Sequence, residues 1–319
     1  MTRISGILLI AASAIGLVAC GGGGGGGGAA APITANAVIT SQNAPAIAGA
    51  VVGAASGTQS LGDLGGLAGV GDPAALPVHE ADPGAPSTAA VTIGPEITNC
   101  AVNGTQTLTA EIANPETMSS GDAISLLFAL CDEGDGTVMN GGFDFVVQSF
   151  EGDPLTGAFL FSVGVTVTDL SMTEAGETET LSGSMNLTVD TLNPPASAIS
   201  VYASSLDVVS GVETASLNEF SIVTTVDPLA GTTLFEMNGY LMSSEFTGDV
   251  HLATTAPLQL DGLGEPSTGQ LVITGADGAT ITMRVVSAQQ VELDIDLDGD
   301  GELDEMQVTT WANLQDPTV

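Results

Sequence analysis

Apolar and polar residues alternate along most of the chain after about residue 91. Phe143, Phe145 and Val147 alternate with polar partners, and Phe159, Phe161, Val163, Val165 and Val167 form the longest such series. Met185, Leu187 and Val189 make another, followed by Phe220, Ile222 and Val226, then Leu271 and Ile273. Ile281, Met283 and Val285 precede Val291, Leu293, Ile295 and Leu297, and Met306, Val308 and Thr310 continue the pattern. A period of two marks strands with one buried and one wet face. The strands follow one another closely, with turn residues and no helical pattern between them, which predicts antiparallel meander connections. The expected fold is all-β: a large curved sheet or open barrel, with a two-sheet sandwich as the alternative. Glycines just ahead of Phe143, Met185, Tyr240 and Leu271 read as repeated hairpin chemistry rather than a solenoid.

The first part of the chain has another texture. Residues 20–90 are rich in Gly, Ala and Pro and read as a tether. One island differs. Asn43 followed by Ala44 and Pro45 has the form of a helix start, and Ile47, Val51 and Ala54 or Ala55 fall at helical spacing. This predicts a short helix over 45–55, weakened by Gly49 and Gly53. The organisation expected is therefore a leader over 1–19, a tether over 20–90 and a β domain over 91–319.

Within the leader, an apolar run from Ile7 to Val18 follows Arg3 and ends in Leu17-Val18-Ala19-Cys20. The run is short for a membrane span of roughly 20 residues, so a cleaved signal segment is preferred over a retained helix. A small residue directly before a cysteine at this distance from the start resembles the bacterial lipobox. The resemblance implies cleavage before Cys20, a diacylglyceryl thioether on its sulfur and an acylated amino group. Three acyl chains, at roughly 0.8 kcal/mol per buried methylene, hold a protein on a bilayer. Gly21–Gly28 supplies the spacer an anchored domain needs, where an ordinary secretory signal would need none. Gly21, rather than Asp, follows the cysteine; by resemblance to bacterial sorting rules this implies the outer membrane, with the domain facing the periplasm or the surface.

Charge narrows the partners. The chain carries 38 Asp and Glu against two cations, Arg3 and Arg284, and no lysine. Such a surface repels phosphate backbones, which argues against nucleic acid, and repels anionic lipid, so membrane attachment falls to the acyl chains. Cys100 and Cys131 remain as an even pair in an oxidising compartment and are expected to form a disulfide closing a loop of about 32 residues.

One segment carries ligand chemistry. Asp294, Asp296, Asp298, Asp300, Glu302, Asp304 and Glu305 crowd into twelve residues, with Gly299 and Gly301 allowing the backbone to turn. Hard oxygen ligands of this kind suit Ca²⁺. A frame starting at Asp294 fits D-x-D-x-D-G-x5-E and ends at Glu305. A frame starting at Asp296 resembles the aspartate-rich calcium loops of thrombospondin type 3 repeats. Strands on both flanks predict a calcium-bearing β-hairpin tip rather than a helix–loop–helix hand. A shorter patch, Asp132-Glu133-Gly134-Asp135-Gly136, reads as a turn. His79 and His251 stand apart from other ligands, and no GxSxG, SxxK or phosphate loop is found, so no catalytic residue is assigned.

The whole arrangement resembles a group of uncharacterised lipoproteins of Gram-negative bacteria. The residues that carry it are the lipobox with poly-glycine, the Cys100–Cys131 segment with Ser120-Gly121-Asp122 before an apolar strand, Asn140-Gly141, and the Asp-Gly-Asp-Gly hairpin before Trp311. The resemblance implies an envelope location and an all-β domain, with no assigned activity. The expected function is a non-catalytic, lipid-anchored domain for partner binding or support. A carrier of a lipid or other apolar ligand is the second reading, and a hydrolase with an unrecognised site the third.

Overall fold

The computed structural model describes residues 34–62, 90–113, 119–134, 136–153, 157–174, 176–260 and 266–315; within these, the side chains of 56–62, 153 and 315 are left aside. The leader, Cys20 and most of the tether lie outside them. Fourteen antiparallel strands form one sheet in the order of the chain, each paired with the next. They are β1 (Val91–Asn99), β2 (Asn103–Ile112), β3 (Ala123–Asp132), β4 (Thr137–Asp153), β5 (Ala158–Glu174), β6 (Glu177–Asp190), β7 (Ser197–Ser210), β8 (Glu213–Asp227), β9 (Thr232–Ser243), β10 (Asp249–Leu260), β11 (Pro266–Thr274), β12 (Thr280–Ser287), β13 (Gln290–Asp296) and β14 (Glu305–Thr310). Two α-helices complete the described elements, α1 (Ala44–Gly62) and α2 (Trp311–Gln315). The sheet is a meander, as the alternation predicts, and it is open: among the described residues β1 and β14 each pair with one strand only.

The pairing register sorts the side chains by face. Val163 of β5 sits opposite Leu187, which sits opposite Val201, which sits opposite Ile222, and all four are buried. At the far side, Ile273, Ile281 and Ile295 continue the same inner face, each with no exposed surface. The outer face is polar. Gln148 donates to Asn186 at 2.6 Å, Ser162 donates to Gln148 at 3.2 Å and Thr188 donates to Ser162 at 3.2 Å, a hydrogen-bonded ladder across β4, β5 and β6.

The inner face is buried because the sheet curls. α1 touches β7, β8 and β9 on one side and β12 and β13 on the other. α1 is about 28 Å long, whereas a flat face of fourteen strands would be about 60 Å wide, so inner-face burial that extends from Phe143 in β4 to Ile295 in β13 requires the sheet to curl over itself and the helix. Four positions explain how long strands bend. Gly142, Gly183, Gly239 and Gly269 are interior to β4, β6, β9 and β11, not ahead of them. Each lies at or beside a shift in register. Gly183 and Gly239 have φ of +134° and +141°, and a Cβ there would strike the backbone of the neighbouring strand. The glycines that read as hairpin starts lie opposite or beside bulges whose extra residues belong to the neighbouring strands β5, β7, β8 and β10, and they let those strands approach where the sheet curves.

Residues 34–62 are part of the domain, although composition assigns them to the tether. Asn36 and Ala37 donate their N–H groups to the Asp249 carbonyl at 2.9 and 3.0 Å, and Ala37 accepts from the Ala276 N–H at 2.8 Å. Asn43 closes the turn before α1: its side-chain oxygen accepts from Thr40 N–H at 2.8 Å and its amide donates to the Val38 carbonyl at 2.9 Å. The helix then presents Ala44, Ile47, Ala48 and Val51, spaced i, i+3, i+4 and i+7, to the concave side of the sheet. It runs past the expected 45–55, to Gly62, and the packing of Ala44 to Val51 offsets the weak helix propensity of Gly49 and Gly53. Gly49 lets α2 come close, since a Cβ there would sit 2.5 Å from the Leu314 carbonyl oxygen.

The first three strands are less well covered. Ile124, Leu127 and Leu130 of β3 and Ile97 of β1 are exposed. Here a covalent link holds the edge: Cys100 and Cys131 form the expected disulfide, with Cα atoms 5.4 Å apart, joining the β1–β2 turn to the end of β3. At the opposite end of β3, the buried Asp122 accepts from the N–H groups of Ala113 (2.7 Å) and Ser119 (2.8 Å), tying the β2–β3 connection to the sheet.

Candidate metal centre in the terminal hairpin

Residues 297–304 form the turn between β13 and β14. Backbone N–H groups at a sharp turn need acceptors, and the alternating aspartates supply them. Asp296 takes two, from Gly299 at 2.7 Å and Gly301 at 2.8 Å, one on each carboxylate oxygen. Asp298 accepts from Asp300 N–H at 3.2 Å, and Asp300 from Glu302 N–H at 2.7 Å. Asp304 reaches back to the Leu297 N–H at 2.8 Å. Gly299, with φ of +73°, lies against Asp277 and Gly278 of the neighbouring β11–β12 turn, where a Cβ would meet the Asp277 carbonyl oxygen at 2.6 Å. The two turns stack, so the loop is seated on the domain rather than free in solvent.

Of the seven carboxylates expected in this segment, the fold brings three together. Oxygens of Asp296, Asp298 and Asp304 lie within 4.8 Å of one another. Asp300 and Glu302 belong to the turn but not to that group. Asp294 faces the outer surface of β13, where Arg284 of β12 donates to it and to Glu292, both at 2.6 Å. Glu305 faces the other side: Gln307 donates to it at 2.9 Å and also to the Ser41 carbonyl at 2.9 Å. Hydrogen bonds from Ser41 and Gln307 hold the Glu305 carboxyl below its ordinary range. The arrangement follows the frame that starts at Asp296. The frame running from Asp294 to Glu305 would need two residues on opposite faces of the hairpin to converge.

The chemistry of the three-carboxylate group fits a hard divalent cation: all donors are oxygens, and each carboxylate that binds a backbone N–H retains lone pairs for a metal. The pair Cys100 and Cys131 lies near Glu133. Its sulfurs are bonded to each other, so they are not thiolate ligands. The Asp132-Glu133 patch is a turn: Asp132 accepts from Gly134 N–H at 2.8 Å and Glu133 from Ala101 N–H at 3.3 Å.

Other titratable groups lie apart from the loop. His251 packs against Tyr240 across β9 and β10, ring centroids 4.9 Å apart and planes tilted by 59°, and burial pushes its pKa down. Glu179 is pushed up chiefly by burial, with Glu177 and Glu174 adding repulsion against the opposing hydrogen bond from Ser210. The Trp311 ring is buried, and its Nε1 has no hydrogen-bond partner among the described residues. A surface recess of about 370 Å³ lies on β3, β4 and β5, bordered by Leu127, Asn140, Asp144 and Asp169. Comparison with protein families, with curated proteins and with solved structures returns no match.

The contribution of Asp122 was missed in the sequence. The signal available was its place two residues after Ser120 in a Ser-Gly-Asp turn, where a short carboxylate commonly captures nearby N–H groups.

Proposed function

We propose that the chain is a lipid-anchored, non-catalytic protein of the cell envelope whose rolled β domain works from its outer surface, in partner binding or structural support. The observation that carries this reading is the occupied concavity. Phe220, Phe235, Leu206, Leu241, Leu252 and Ile273 are fully buried along the inner face. α1 lies against β7–β9 and β12–β13 on that same side. A carrier of an apolar ligand would have to displace this packing.

The anchor is the acylated Cys20 at an outer-membrane leaflet. Among the described residues, the first backbone contact with the sheet is made by Asn36, sixteen residues after Cys20. At 3.3–3.6 Å per residue that stretch spans at most about 50–60 Å, so the domain stays close to the lipid. The test is labelling of growing cells with radioactive palmitate. Wild type takes up label and sediments with membranes, whereas Cys20→Ser does neither. An unlabelled wild type, or unchanged sedimentation of the variant, would overturn the anchor.

Calcium held by Asp296, Asp298 and Asp304 is the second element of the proposal. It stiffens the terminal hairpin, with affinity on the order of 10⁻⁴–10⁻³ M, as in extracellular modules. Titrating Ca²⁺ at low ionic strength is expected to raise the melting temperature of wild type and of Glu302→Gln, and to leave Asp296→Asn unmoved. A wild-type melting temperature indifferent to millimolar Ca²⁺ removes the metal from the proposal.

A further inference from the structure

The two free edges of the sheet are built differently. β1 carries Pro95, which has no N–H to offer, and a register shift between Ile93 and Glu96. Both features discourage further strand pairing. β14 has neither, and all six of its residues pair with β13 in unbroken register.

Two hydrogen bonds fix the phase of the ladder. Gly275 N–H donates to the Ala279 carbonyl at the start of the β11–β12 pair, and Trp311 N–H donates to the Gln289 carbonyl beyond the β13–β14 pair. Bonding positions alternate along an antiparallel strand. Glu305, Gln307 and Thr309 therefore bond to β13. Met306 and Val308 direct their N–H and C=O groups at the open edge, where the described residues supply no backbone partner, and Thr310 directs its N–H there while its hydroxyl, accepting from the Asn313 N–H at 3.1 Å, caps the start of α2. The same residues project onto the outer face, and Met306 and Val308 are 55 % and 57 % exposed. The usual alternation is reversed here: apolar side chains meet solvent while Glu305 and Gln307 turn inward.

Charge selects among occupants. Glu302 in the adjoining turn and Glu305 on the inner side lie at this edge with no cation beside them among the described residues; Arg284, the one cation there, is already held by Glu292 and Asp294. A second copy of the chain would bring another formal charge of −36, which opposes self-pairing. A basic segment meets no such opposition.

We propose that β14 is a strand-addition site for an extended segment of another protein in which apolar and basic residues alternate. The backbone of that segment pairs with Met306, Val308 and Thr310. Its apolar side chains cover Met306 and Val308 on the outer face, and its basic side chains lie beside Glu305 on the other. This rests on the partner-binding part of the proposed function and is independent of the anchor and of calcium.

The test uses the full chain and two synthetic peptides of roughly ten residues, one alternating valine with lysine and the other valine with glutamate. The lysine peptide is expected to slow amide exchange at Met306, Val308 and Thr310 by about tenfold or more, and the glutamate peptide to leave it unchanged. Val308→Pro removes a donor that faces only the open edge and should weaken lysine-peptide binding by about tenfold. Val308→Lys keeps the donor and covers the case in which the proline variant fails to fold; it should weaken the lysine peptide and favour the glutamate peptide. Cys20→Ser should bind as wild type does, so a failed anchor leaves this result intact. The proposal is overturned if the lysine peptide protects no β14 amide, if Val308→Lys binds it as tightly as wild type, or if the protein dimerises through β14 without peptide.

Discussion

Replacing Ile47 with alanine should destabilise the domain by about 2–5 kcal/mol, as expected for truncating a fully buried aliphatic side chain. Ile47 has no exposed surface and sits in the apolar stripe that α1 turns toward the sheet. Its removal leaves a cavity between the helix and strands that are themselves held in curvature, so the site collapses only in part. Denaturant unfolding checks the magnitude: the midpoint should fall while the slope stays near the wild-type value. A surface helix on a tether would give a change within about 0.5 kcal/mol, and that result would remove α1 from the core. Val51, buried one turn on, should respond in the same direction.

Opening the disulfide by replacing Cys100 and Cys131 together with serine should cost about 3–4 kcal/mol on the chain-entropy account, given 31 residues of sequence separation. The loss should also be local. Phe128 is buried in β3, but Ile124 and Leu127 are exposed, and in β2 Ala110 is the buried residue, so little apolar burial backs up the covalent link. Amide exchange should therefore accelerate in β1 and β2 while β10–β13 keep their protection. Equal loss across the sheet would mean that the edge strands are coupled to the core by contacts other than the sulfur bridge.

The alternation that predicts an all-β meander is clearest where one face is deeply buried and the other wet, as in Phe161 to Val167 and Val291 to Ile295. It fades where the inner face uses small residues. β7 passes unnoticed because Ala203 and a run of serines interrupt its period of two, although Val201 and Leu206 are both buried there. The glycines inside β6 and β9 mislead for a physical reason: a glycine that faces a neighbour's bulge and one that precedes a strand look alike in sequence, and only the pairing distinguishes them. The tether expectation fails at 34–62 in the same way. Ala37, Ala44, Ala48 and Gly49 are small because backbones approach closely, and composition alone cannot separate close packing from a spacer. In the terminal loop the crowding of carboxylates was legible, but their division was not. Arg284 reaches Asp294 from the adjacent strand, and strand alternation carries Glu305 to the inner side; both effects depend on pairing that spacing does not encode.

The contact between Asn36 and Asp249 spans 213 positions, and that between Ser41 and Gln307 spans 266. Each hairpin of the meander can close as soon as its two strands are available, at small entropic cost. The amino-terminal helix cannot. It comes early in the chain, yet part of its resting place is supplied by strands more than two hundred residues further on. Its apolar stripe therefore stays uncovered until β12 and β13 are in place, and that interval is when the domain is most exposed to misassembly.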